Sequence, residues 1–147
     1  AEFAQECTCS GAVRARYQAK LSGPLRDRID IFARTRTTIT ATLTGDTPET
    51  SEKIAQRVAA ARERSIARWG QVNATVPGKL LRAEHPATDE AMIVLQDMLR
   101  TKTLTQRGVD RALRVAWTLA DCAGIDKPGL EHVCDAVDLY RDGAEVH

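Results

Sequence analysis

The sequence predicts a mainly α fold in which a four-helix bundle follows a non-helical lead-in. Three observations carry that prediction. Aromatic residues make up only 4% of a chain that is 43% apolar, so the core is aliphatic and alanine-rich, which suits packed helices better than a sandwich or barrel. Between Leu104 and Gly124 the apolar residues fall at Val109, Ala112, Leu113, Ala116, Leu119, Ala120 and Ala123, the i, i+3, i+4, i+7 rhythm of one buried helix face. From Gly45 onward the pattern is helical, and strand-type residues are confined to the stretch before it. At 147 residues the chain is long enough for one domain with its own core.

Taken in order, Ala1 to Ser10 reads as a frayed start. Cys7-Thr8-Cys9 supplies at most half of a tetrahedral zinc site, and no second pair follows at ligand spacing. Val13 to Leu21 forms a short helix with Val13, Tyr17 and Leu21 on one side, broken at Ser22-Gly23-Pro24. Ile29, Ile31 and Ala33 then alternate with polar residues as a strand start, and the threonine-rich run Arg34 to Thr44 continues with strand propensity but no large apolar residues. A lone strand cannot satisfy its own backbone hydrogen bonds. With no clear partner strand, residues 1–46 read as a piece of a larger sheet. Thr47-Pro48 or Thr50 caps a long helix that runs to Trp69, buries Ile54, Val58, Ala61 and Trp69, and stops at Gly70. Asn73 to Pro86 is a loop pinned to the core by Leu80 and Leu81. Thr88 caps a third segment with Ala91, Met92, Leu95, Met98 and Leu99 inward. Thr103 with Gln106 offers a capping box for the Leu104 helix, which Gly124 closes. Pro128 starts a final helix with Leu130, Val133, Cys134, Val137 and Tyr140 on one face. Cys122 and Cys134 serve as small reduced core residues, not as a disulfide framework.

The net charge of +1 does not make the whole chain an electrostatic magnet for nucleic acid. Its distribution is uneven. Residues 53–82 carry seven Lys and Arg against one acid, Glu63, and from Asp121 onward there are seven acids against two bases. Two solvated surfaces or side-by-side packing of identical subunits both account for this. No apolar run approaches membrane-spanning length and no basic-then-apolar signal segment opens the chain, so a cytoplasmic location and no membrane partner are expected.

A self-contained active site is missing from the pattern. There is no GxxxxGK[ST] phosphate loop, no GxSxG and no HExxH. His85, His132 and His147 are scattered, Asp27 and Asp30 flank the strand start, and Glu63 sits with Arg62, Arg64 and Arg68 on a solvated helix face suited to salt bridges. What remains is arginine. Arg107, Arg111 and Arg114 fall together opposite the apolar face of the Leu104 helix, where they repel one another by roughly a few tenths of a kcal/mol per pair. Asp110 can offset this by pairing with Arg107 and Arg114, or a ligand phosphate can; the spacing leaves both open. Arg107 lies in the first turn, where the helix dipole also favours anions. Arg28 precedes the strand start. Guanidiniums of this kind suit the charge that develops in phosphoryl transfer.

Five stretches carry a resemblance. They are Cys-Thr-Cys-Ser at 7–10, Leu-Ser-Gly-Pro-Leu-Arg-Asp-Arg-Ile-Asp at 21–30, Val-Ala-Ala-Ala-Arg-Glu-Arg-Ser-Ile-Ala-Arg-Trp-Gly at 58–70, Leu-Thr-Gln-Arg-Gly-Val-Asp-Arg-Ala-Leu-Arg-Val-Ala-Trp-Thr-Leu-Ala-Asp at 104–121, and Leu-Glu-His-Val-Cys-Asp-Ala-Val-Asp-Leu-Tyr-Arg at 130–141. In this order, from Cys7 to Arg141, the chain resembles the C-terminal part of bacterial magnesium-chelatase-like AAA+ ATPases, the group that includes the competence protein ComM. The resemblance implies a four-helix AAA+ lid-type bundle over residues 47–142, preceded at 1–46 by a partly disordered remnant of the α/β ATPase core and followed by a tail at 143–147. It implies that Arg28 is the arginine finger reaching the neighbouring subunit's γ-phosphate. Arg107 is then the sensor-2 arginine on its own subunit's nucleotide, with Arg111 and Arg114 the next nucleotide-binding candidates. ATP and Mg2+ belong to the intact protein, while this chain, a piece of a longer ATPase without the phosphate loop, is expected to bind neither alone and to be inactive. The implied partners are the rest of the AAA+ core, a homo-oligomeric ring (a hexamer on the family pattern), and DNA during competence and recombination, or a metal-chelatase complex in its place. Three departures stand out: Arg26 where the family commonly has leucine, Trp117 where it often has arginine, and no upstream CxC to complete a zinc site with Cys7 and Cys9. A stand-alone helical DNA-binding module using residues 53–82 or the arginine helix, or a purely structural oligomerisation module, is the alternative.

Overall fold

A computed structural model of the chain describes residues 8–20, 22–26, 28–33 and 49–141. Cys7, Leu21, Asp27, the run 34–44 and the tail 143–147, on which several sequence expectations fall, lie outside them. The helices are α1 (Gly11–Gln18), α2 (Gly23–Arg26), α3 (Ser51–Trp69), α4 (Gly78–Ala83), α5 (Asp89–Arg100), α6 (Gln106–Ala123) and α7 (Leu130–Arg141), with a 3-10 turn at Asn73–Thr75. The described residues contain no strand. None of their helices is long and apolar enough to cross a membrane.

The Leu104 stretch becomes α6, and α6 is the hub: α3, α4, α5, α7 and the 3-10 turn all pack against it. Val109, Ala112, Leu113, Ala116 and Ala120 of its apolar arc are buried as their spacing predicts. Leu81, Leu95, Val133 and Val137 fill the space around them, and Ala91 of α5, Ala136 of α7 and Ala87 just before α5 are buried completely. The ends of α6 are fixed locally. Thr105, not the expected Thr103, is the N-cap: its hydroxyl accepts the Gly108 N–H at 3.1 Å, while the Thr103 hydroxyl shares a 3.0 Å bond with Thr101. At the other end Gly124 takes φ 73°, which lets the Ile125 N–H reach the Ala120 carbonyl at 2.9 Å and the Gly124 N–H reach that of Asp121 at 3.2 Å.

Elsewhere the sequence reading needs adjustment. Thr50 caps α3 and Gly70 ends it as expected, but Ile54 and Val58 are exposed, and burial on α3 begins at Ala61 and Ser65. The expected loop 73–86 contains the 3-10 turn and α4; at six residues, α4 is too short for a period to reveal it. Leu81 is fully buried there and Leu80 half-buried, so the pinning role stands. Leu99 and Leu130 are exposed where the pattern put them inward. Val13 and Tyr17 of α1 are likewise exposed. The expected strand start is an irregular extended segment over residues 28–33. Its Phe32 N–H bonds the Leu139 carbonyl of α7 at 2.8 Å, so a helix end takes the place of a sheet neighbour. Cys9, Cys122 and Cys134 are free thiols, the last two half-buried.

Truncating the centre of the hub tests this packing. Leu113→Ala is expected to lower the unfolding free energy by about 2–5 kcal/mol in urea titration, whereas Ile93→Ala on the exposed side of α5 should stay within about 0.5 kcal/mol.

Candidate functional site

Two arginines of α3, four residues apart and so on one face, grip the C-terminal end of α6. Arg68 is bidentate to the Asp121 carboxylate at 2.6 and 3.2 Å. Arg64 donates to the Asp121 backbone carbonyl at 2.7 Å, a cation placed at the negative end of the helix. The Asp121 side chain is 1% exposed and that of Arg68 16%. Asn73 completes the arrangement. Its Nδ2 donates to Asp121 at 2.8 Å, and its Oδ1 accepts from Ser65 Oγ at 2.9 Å and from Trp69 Nε1 at 2.8 Å. The Arg68 guanidinium lies 3.9 Å from the centroid of the Trp117 ring, a cation–π contact, and Trp69 meets Trp117 edge-on. Among the described residues no buried side-chain nitrogen or oxygen is left without a partner. Arg68 is therefore not on the solvated face that the sequence suggested; it is drawn inward by the acid on α6. A cavity of 360 Å³ opens beside this cluster, but Ser65, Asn73 and Asp121 on its lining are already committed to one another.

The arginine stripe of α6 is divided among three tasks. Arg107, on the first turn, is exposed. Arg111, one turn on, is 5% exposed. Its Nε lies 3.0 Å from Asp30 Oδ1, its Nη1 reaches the Ile29 carbonyl at 3.5 Å, and the Tyr140 ring is 6.0 Å away. Arg114 is half-buried and donates from Nε to the Val76 carbonyl at 2.9 Å, in place of the expected pairing with Asp110. Asp110 pairs with Arg82 of α4. The Asp110 carboxylate lies in the space a Cβ would take at Gly78, the first residue of α4. Arg28 is exposed, and its N–H bonds the Leu25 carbonyl at 3.0 Å. It lies two residues before Asp30, the partner of Arg111.

The stripe thus faces other parts of the chain more than solvent. Arg107 at the positive end of α6 can meet an anion. Arg111 and Arg114 spend their donors on Asp30, Ile29 and Val76. No group of three or more His, Cys, Asp or Glu that could hold a metal ion occurs among the described residues. Sequence reasoning passed over Asn73, Trp117 and Asp121 as a unit with Arg68. One signal was present: Asp121 follows Leu113 and Trp117 at successive i+4 steps, an acid on an otherwise apolar arc.

A family model described as magnesium chelatase, subunit ChlI C-terminal, matches residues 48–141, and one described as magnesium chelatase, subunit ChlI, matches residues 1–43. An uncharacterized protein of Mycobacterium tuberculosis is 40% identical over 144 residues, 95% of this chain and 29% of its own length. Competence protein ComM of Haemophilus influenzae is 31% identical over 128 residues, 86% of this chain and 25% of its own. The YifB protein of Escherichia coli is 32% identical over 135 residues, 90% of this chain and 26% of its own. The chain spans 29% or less of the length of these curated relatives.

Asp121→Ala would strand the partly buried Arg68 guanidinium and the Nδ2 of buried Asn73, and is expected to cost about 3–5 kcal/mol in denaturant titration. Glu49→Ala, which removes the exposed pair with Arg57, should cost less than about 1 kcal/mol.

Proposed function

The chain belongs to the magnesium chelatase family, and on that premise we propose that it is the lid segment of an AAA+ ATPase. In this reading Arg107 senses the phosphates bound by its own subunit and Arg28 serves as an arginine finger for the neighbour. The observation that carries it is the place of Arg107, exposed on the first turn of α6. A phosphate brought to that end meets a guanidinium and the positive end of the helix dipole. ATP fits this end by charge. Magnesium would be held by the remainder of the ATPase core. Bound there, ATP supplies the phosphoryl group whose developing charge the two guanidiniums would stabilise.

The intact motor is a cytoplasmic homo-oligomeric ring in this reading, a hexamer on the family pattern, so that Arg28 can reach across a subunit boundary. Its work is the remodelling of DNA, favoured over a metal-chelatase complex because one relative is a competence protein. The stand-alone DNA-binding alternative loses much of its support from the basic stretch itself. Arg57 pairs with Glu49, Arg64 and Arg68 bond Asp121, and Arg82 pairs with Asp110.

In the intact ATPase, Arg107→Ala is expected to lower kcat for ATP about 100-fold or more, and the isolated chain should show no turnover. Wild-type kcat in the variant, or hydrolysis by the chain alone, would reject the assignment.

A further inference from the structure

We propose that Arg111 and Asp30 form a strap by which α6 sets the position of the Arg28 segment, making both of them positioning residues for the finger. This rests on the reading of Arg28 and Arg107 above. Arg111 lies one turn after Arg107 on the same rigid helix, a separation of about 6 Å along the axis. Its side chain is buried to 6% exposure, and the acid it meets at 3.0 Å is half-exposed. Asp30 could therefore satisfy itself in water, whereas the Arg111 guanidinium depends on Asp30 and the Ile29 carbonyl for its partners. Ile29 and Asp30 are the first and second residues after Arg28, so the anchor sits next to the proposed finger. The 2.8 Å bond from the Phe32 N–H to the Leu139 carbonyl ties the segment a second time, to α7. Because α7 and α6 pack together, both ties end on the same body. A shift of α6 as Arg107 engages a phosphate is then carried to the residue that reaches the next subunit. A planar guanidinium suits this task because its fork fixes direction as well as distance.

The test uses four variants of the intact ATPase: Arg28→Ala, Asp30→Asn, the two combined, and Asp30→Glu. Asp30→Asn is expected to lower kcat about ten-fold or more through finger misplacement, with KM for ATP within about two-fold of wild type. Asp30→Glu should recover most of the loss, and the double variant should be no slower than Arg28→Ala alone, since Asp30 acts through Arg28. Amide exchange on the Asp30→Asn protein should accelerate at Phe32 while Leu113 and Val115 stay protected, which separates loosening of the strap from unfolding of the lid. If Arg28→Ala is slow but Asp30→Asn turns over at the wild-type rate, if the two losses multiply, or if Phe32 exchange is unchanged, the strap is wrong and the finger assignment stands. If Arg28→Ala itself turns over normally, the finger assignment fails and the strap falls with it.

Discussion

The pairing of Arg68 with the buried carboxylate of Asp121 is the constraint on which the rest of the helical bundle depends. A carboxylate removed from water carries a penalty of several kcal/mol unless its lone pairs are answered. Here they are answered from three directions, by both Arg68 nitrogens and by Asn73. Arg68 is held in turn against the Trp117 ring, and Asn73 by Ser65 and Trp69. Each member has a partner, so the cluster admits one arrangement of α3 on α6. It sits at the last turn of α6, at the point where the chain leaves the helix through Gly124.

Fixing one end of α6 fixes the other. A helix of 18 residues spans about 27 Å and transmits orientation along its length. At its N-terminal end the Thr105 cap, the Arg82–Asp110 pair and the buried Leu104 hold the first turns. Arg107 is therefore displayed from a scaffold that is braced at both ends. Chain segments 29–32 and 76 pass over the middle of the helix, and the guanidiniums below Arg107 become their hydrogen-bond donors. Like charges on this helix face are accommodated as Arg111 and Arg114 meet oxygens contributed from elsewhere in the chain.

The uneven charge distribution finds part of its explanation in the same contacts. The basic stretch and the acidic end look like opposed surfaces in the sequence, yet Arg64 and Arg68 meet Asp121 within one chain. What the sequence presents as material for a partner is in part internal cohesion.

The sequence by itself determined the long helices. The apolar period of α6, the glycines that end α3 and α6, the Thr50 cap and the final helix are all local properties of a few consecutive residues, and local chemistry suffices to specify them. The family was also legible, through the wording at 21–30 and 104–121. What only the tertiary structure decided is which polar side chains turn inward. Arg68 and Asp121 are 53 residues apart, and Arg111 and Asp30 are 81 apart. A helical period reports the face on which a residue lies but not what another part of the chain brings to that face. Arg68 therefore read as solvated, and the α6 arginines read as one stripe. The short α4 and the unpaired segment 28–33 were hidden for a related reason: neither is long enough to carry a period, and each is held by contacts from α6 or α7.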